Sequence, residues 1–197
     1  MKSKRFMLPV VVMSISTVAL AQSSGHEHTM PPDPKGTAAK SDTQKAFDEL
    51  KTLAGSWEGP VKGDPQVPEV EGKRSQVTLR VTSMGHTLMH ELKLDGRPDN
   101  PITMLVVDAD RLLLTHYCDA DNRPRMLGQR SPDGKSVEFD FVDVSGKLQY
   151  GHMHHAVFTF VDANHHIEEW TWMMPNDKSM RVRFDLQRSA PAGGSGN

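Results

Sequence analysis

From Val77 to Leu186, apolar and polar residues alternate with a period of two, and turn residues break the alternation every eight to twelve positions. This pattern sends successive side chains to opposite faces, which a strand can do and a helix cannot. Val77, Leu79 and Val81 alternate with Thr78, Arg80 and Thr82, and Leu88, His90, Leu92 and Leu94 with Met89, Glu91 and Lys93. Met104–Val107 and Leu112–Cys118 flank the turn Asp108-Ala109-Asp110-Arg111, and Val137, Phe139 and Phe141 alternate with Glu138 and Asp140. Three more runs span His152–Val161, Ile167–Met174 and Met180–Leu186. Asp-Asn, Pro-Asp-Gly, Ser-Gly-Lys and Pro-Asn-Asp provide the turns. Roughly nine or ten short antiparallel strands imply a β-sandwich or a closed up-and-down barrel. One helix is predicted over 42–53, capped by Ser41 or Asp42, with Ala46, Phe47, Leu50, Leu53 and Ala54 on one face and Gly55 after its end.

The start of the chain has a different character. Lys2, Lys4 and Arg5 precede an uncharged apolar stretch, Phe6–Leu20, and Ala19-Leu20-Ala21 provides small residues for cleavage after Ala21. That is the pattern of a secretory signal peptide, and a run of 15 residues containing Pro9 is shorter than the ~20 that a spanning helix needs. The expected organisation is a signal peptide at 1–21, a disordered linker at 22–41 rich in Ser, Gly, His and Pro, a β-domain at 42–189, and a Gly/Ser tail at 190–197. The mature chain is then periplasmic or secreted, has no transmembrane segment, and forms one domain, expected to be monomeric.

Without Lys2, Lys4 and Arg5, 20 basic residues face 25 acidic ones, and no basic block is present. Nucleic acid is therefore excluded as a partner, and anionic membrane surfaces are poor ones. Cys118 is the single cysteine, so no internal disulfide forms and packing must supply the stability. No Gly-x-Ser-x-Gly, phosphate loop or dinucleotide fingerprint occurs.

Strand register decides which polar groups face inward. A symmetric turn at Asp162-Ala163-Asn164-His165 pairs Val161 with His166, and a two-residue turn at Asn176-Asp177 pairs Met173 with Met180. This register puts His152, His154, Phe158, Phe160, Glu169, Thr171, Met173, Met180, Val182 and Phe184 on the inner wall, and Trp170 and Trp172 outside beside Arg181 and Arg183. A three-residue turn would slip the pairing by one and send both tryptophans inside. His116 shares a face with Leu112 and Leu114, and His90 lies between Leu88 and Leu92.

On the first register, His152, His154, Glu169 and His116 supply three nitrogens and an oxygen. His-x-His on a strand sets its Cα atoms about 6 to 7 Å apart, close enough for both rings to reach one ion, a set suited to zinc or non-haem iron. His90, His116, Tyr117, Arg125, His152, His154 and Glu169 are the candidate polar contacts for a ligand in a barrel interior.

Leu53-Ala54-Gly55-Ser56-Trp57-Glu58-Gly59, a helix followed by Gly-x-Trp at the first strand, resembles the lipocalin and calycin superfamily, in which the Trp plugs the closed end of the barrel. Leu112–Cys118, Asn122, Pro124-Arg125-Met126, Gly151–His154 and Glu169-Trp170-Thr171 resemble a group of bacterial exported lipocalin-like domains across residues 43–188. Nitrobindin-type barrels, which bind haem, share the Gly-x-Trp opening. The resemblance implies an all-β, antiparallel up-and-down calycin/lipocalin-like barrel with one short N-terminal helix. With the signal peptide and the cavity that a barrel of this size encloses, the expected function is that of an exported protein holding a small hydrophobic or amphipathic molecule in a partly polar, His-containing cavity. The alternatives are a metal- or haem-dependent enzyme using an interior His/Glu cluster, and a structural barrel without a catalytic site.

Overall fold

The computed structural model describes residues 39–98 and 100–189. The expected signal peptide, most of the linker and the tail lie outside them.

Helix α1 (Asp42–Lys51) starts where Ser41 Oγ accepts the Gln44 N–H at 3.1 Å, satisfying one of the free donors of the first turn. It ends two residues before the predicted boundary, as the Thr52 N–H donates to the Glu49 carbonyl and the Leu53 N–H to the Leu50 carbonyl. Ala46, Phe47 and Leu50 form its buried stripe.

Ten antiparallel strands follow: β1 (Gly55–Asp64), β2 (Arg74–Thr82), β3 (Thr87–Leu94), β4 (Ile102–Asp108), β5 (Arg111–Tyr117), β6 (Asn122–Arg130), β7 (Ser136–Gly146), β8 (His152–Asp162), β9 (His165–Met173) and β10 (Ser179–Ser189). Each pairs with its sequence neighbour, and β1 pairs with β10, so the meander closes into a barrel with no free edge. Closure is tight at β1 and β10. A Cβ on Gly59 would lie 1.8 Å from the Asp185 carbonyl oxygen, so only glycine fits there.

Trp57, 1% exposed, plugs the α1 end of the barrel. Its Nε1 donates to the Leu53 carbonyl at 2.7 Å, and the Arg188 guanidinium lies 4.1 Å from its ring centre. Thr43 Oγ1 bonds the Asp110 carbonyl, and Glu49 pairs with Arg130, so the helix is anchored to strand ends β4–β6 at that same end. Leu79, Leu88, Leu105, Leu112, Leu114, Met126, Phe139 and Phe158 fill the inside above the plug. No described helix is long and apolar enough to cross a membrane.

Two features correct the predicted register. The β8–β9 turn is symmetric as read, with Asp162 opposite His165. A bulge then passes over Val161, so Phe160 rather than Val161 faces His166. Beyond β9, Met174 and Lys178 bond across three residues, Pro175 to Asp177, with Asp177 at φ 60°. Both shifts are by one residue, and Phe158 therefore faces Glu168, Ala156 faces Trp170, and Val182 faces Trp170 from β10. The tryptophans turn inward, and Glu169 turns outward to lie 3.7 Å from both Arg181 and Arg183.

Candidate functional site

Glu168 is fully buried on the inner face of β9. An isolated carboxylate at such depth would be prohibitively costly, but three donors converge on it. His90 Nε2 lies 2.9 Å from Oε2, Trp170 Nε1 donates to Oε2 at 3.0 Å, and His166 Nε2 lies 3.1 Å from Oε1. Burial pushes the Glu168 carboxyl up, but His90 and His166 outweigh it and hold the group below the ordinary carboxylate range. The group is therefore an anion inside the barrel. His166 stands edge-on to Trp57, with ring centres 4.2 Å apart, so the polar core runs from the plug toward the middle of the barrel. The second ring nitrogens, His90 Nδ1 and His166 Nδ1, are buried without a partner.

His116 lies beside this core on β5, 5% exposed, with its ring centre 5.5 Å from that of Trp170. Its Nδ1 is 2.8 Å from the buried Thr103 hydroxyl. Burial first, and then the charge of His90, lower its pKa to about 3, so the ring is neutral at ordinary pH.

Above these residues a cavity of about 430 Å³ opens at the end of the barrel away from α1. His90, His116 and Trp170 form its floor, and Leu92, Leu94, Met153, Trp172, Met180, Val182 and Phe184 its walls. Arg97, Asp119 and Tyr150 stand at the mouth, where Arg97 and Asp119 form an ion pair. The size is within the usual range for small-molecule sites, about 300–1,000 Å³, and so is the makeup of apolar walls with a few polar groups.

Of the seven candidate ligand contacts, only His90 and His116 line this cavity. Tyr117 is exposed, and Arg125 pairs outside with Asp143. His152 and His154 are half-buried against Phe141, their nitrogens 3.2 Å apart, away from the cavity, because a bulge between Met153 and His155 puts Met153 inside instead. Glu169 is outside for the reason already given. The metal set of His116, His152, His154 and Glu169 is therefore not brought together, and no three His, Cys, Asp or Glu side chains are grouped to hold an ion among the described residues. Cys118 lines the cavity, but burial pushes its thiol up, and its Sγ contacts are Asp119 Oδ1 and the Ala120 N–H rather than a histidine.

Glu168, His166 and Trp170 were absent from the sequence candidates. The Glu168-Glu169 pair was the available signal. One member of an adjacent pair on a strand must face inward, and the unread bulge decided which.

Fold and site together define a closed ten-stranded antiparallel up-and-down β-barrel with a His-floored cavity. No protein-family model and no curated protein matches the chain. Among solved structures it is similar to Rv2717c from M. tuberculosis, with a TM-score of 0.53 and 16% identity over 74% of this chain and 98% of that one. It is also similar to a protein of unknown function of the DUF3598 family from Nostoc punctiforme, with a TM-score of 0.49 and 10% identity over 71% of this chain. The chain spans about half, 49%, of that protein's length. At such identity the likeness to Rv2717c shows the fold alone.

Proposed function

We propose that this chain is an exported barrel protein that binds one small, mainly apolar molecule in the cavity between Trp172 and the His90–His116 floor. The observation that carries this reading is the cavity itself. About 430 Å³ of space with apolar walls persists in a barrel whose other half is filled by Leu, Phe and Trp side chains. A domain selected only for stability would gain from filling that space, because a void forfeits dispersion contacts. The buried anion below has a supporting role. Glu168 locks His90 and Trp170 in orientation, so the floor presents a preorganised surface.

Fluorescence provides the test. Two of the three tryptophans, Trp170 and Trp172, line the cavity. Energy transfer from them to a neutral fluorescent probe such as 1-aminoanthracene should rise to saturation at one probe per chain. It should fall again when a non-fluorescent apolar competitor is added. Linear, unsaturable transfer would refute the reading. A stoichiometric metal or a Soret band in the purified protein would replace it with a cofactor-dependent one.

A further inference from the structure

The chemistry of the cavity floor narrows the class of ligand. Among the floor residues, His116 has an unbonded ring nitrogen that is not sealed off by burial. Its Nδ1 is engaged by Thr103, and its Nε2 makes no hydrogen bond among the described residues. Unlike His90 Nδ1 and His166 Nδ1, that nitrogen is not sealed among buried unpartnered atoms, and the ring borders the cavity. A ligand that fills the cavity therefore covers His116 Nε2 and must either bond it or leave it unpaired, which is costly in a dry site.

The pairing of the charges around the cavity completes the constraint. Burial keeps the His116 ring uncharged, so it offers no cation. Beneath it, the Glu168 carboxylate is already paired with His90, and the two charges offset each other. Among the described residues, the mouth holds a cation only as the Arg97–Asp119 pair, in which the two charges offset each other. An anionic head group thus has no favourable position. Placed at the floor, it loses its hydration without gaining an unpaired cation. Placed at the mouth, it leaves an apolar tail against His116 Nε2.

Resting on the ligand-binding reading above, we infer that the cavity selects a neutral amphiphile, an apolar body with an uncharged hydroxyl, carbonyl or amide head that bonds His116 Nε2 at the floor. A hydroxyl serves whichever tautomer His116 adopts. If Thr103 donates to Nδ1, Nε2–H donates to the ligand; if Nδ1–H donates to Thr103, Nε2 accepts from it. His116 is then the residue that decides specificity, and the deep end of the ligand is its polar end.

The test compares two ligands of equal chain length, decan-1-ol and decanoate, at pH 8 by displacement of 1-aminoanthracene. Decan-1-ol should bind the wild-type chain at least tenfold more tightly than decanoate. His116→Phe should weaken decan-1-ol about tenfold and leave decanoate within twofold. His116→Gln, which retains a neutral hydrogen-bonding end, should keep decan-1-ol within threefold of wild type. Circular dichroism on each variant verifies the fold, and the wild-type comparison does not depend on either variant folding. Equal or tighter binding of decanoate by the wild type overturns the inference while leaving a binding barrel in place. An equal loss of both ligands in a folded His116→Phe also overturns it. If neither compound displaces a saturably bound probe, the inference falls and the reading beneath it stands; if the probe itself does not saturate, both fall.

Discussion

Glu168 on β9 meets His90 on β3 across the interior of the barrel, Oε2 to Nε2 at 2.9 Å, between strands separated by β10, β1 and β2 around the wall. This cross-barrel contact is the most sensitive reporter of the register. Removing the charge from one member of a buried pair costs about 3–5 kcal/mol, because the partner stays buried. Exposed ion pairs contribute about 0–1 kcal/mol. Glu168→Gln should therefore lower the urea-unfolding free energy by about 3 kcal/mol, whereas Glu169→Gln, which loses only the Arg181 and Arg183 contacts, should lower it by less than about 1 kcal/mol. The reverse order would mean that Glu169 faces inward.

The neutral His116 makes stability depend on pH. Its folded pKa of about 3 lies below the ordinary histidine value of 6.5, so between those limits the unfolded chain binds the extra proton. Its contribution is fully present above pH 6.5 and is lost as pH falls toward 3, with a slope of up to about 1.4 kcal/mol per pH unit. Urea titrations at pH 7, 6, 5 and 4 should show a shallower loss in His116→Gln than in wild type. Parallel curves would mean that the imidazole is not held neutral.

The two cavity tryptophans should separate in a stability series. Trp170 is 4% exposed and bonded to Glu168, and its truncation to Ala should cost about 3–5 kcal/mol. Trp172 is half-buried at the wall, with Nε1 on the Tyr150 carbonyl, and Trp172→Ala should cost about half as much. It should also enlarge the cavity and admit bulkier probes. Thermal melts and competition with a branched probe series check both points.

Barrel closure can be tested at a single atom. Gly59→Ala places a methyl against the Asp185 backbone carbonyl, which cannot move without opening the β1–β10 seam. The expected loss is about 3 kcal/mol or more, together with faster amide exchange along β1 and β10. An unperturbed melt would contradict the close approach.

Much of this architecture could be read from the residues. The period-two alternation marked the strands, the evenly spaced turns left a sandwich or an up-and-down barrel open, and the resemblance carried by Gly55-Ser56-Trp57 implied the barrel with its plugged end. β6 was harder to read, because its buried positions are Asn122, Pro124 and Met126 rather than aliphatic residues. Asn122 is there to bond the Lys147 and Gly151 carbonyls, each at 2.8 Å, a long-range role that leaves no hydrophobic trace. The site was partly legible. His90 and His116 follow from their neighbours on β3 and β5. Glu168 does not, because one bulged residue, Val161, inverts the faces of β9, and a bulge in an otherwise regular alternation has no compositional mark.

The most direct measurement of ligand binding in this cavity is a methyl spectrum of the methionine-labelled protein titrated with decan-1-ol. Met153 and Met180 line the cavity, whereas Met89 and Met104 lie opposite one another on β3 and β4 and do not. The expected result is saturable shifts at Met153 and Met180, with Met89 and Met104 unmoved. No shift at Met153 and Met180, or shifts confined to Met89 and Met104, would contradict a ligand seated above His116.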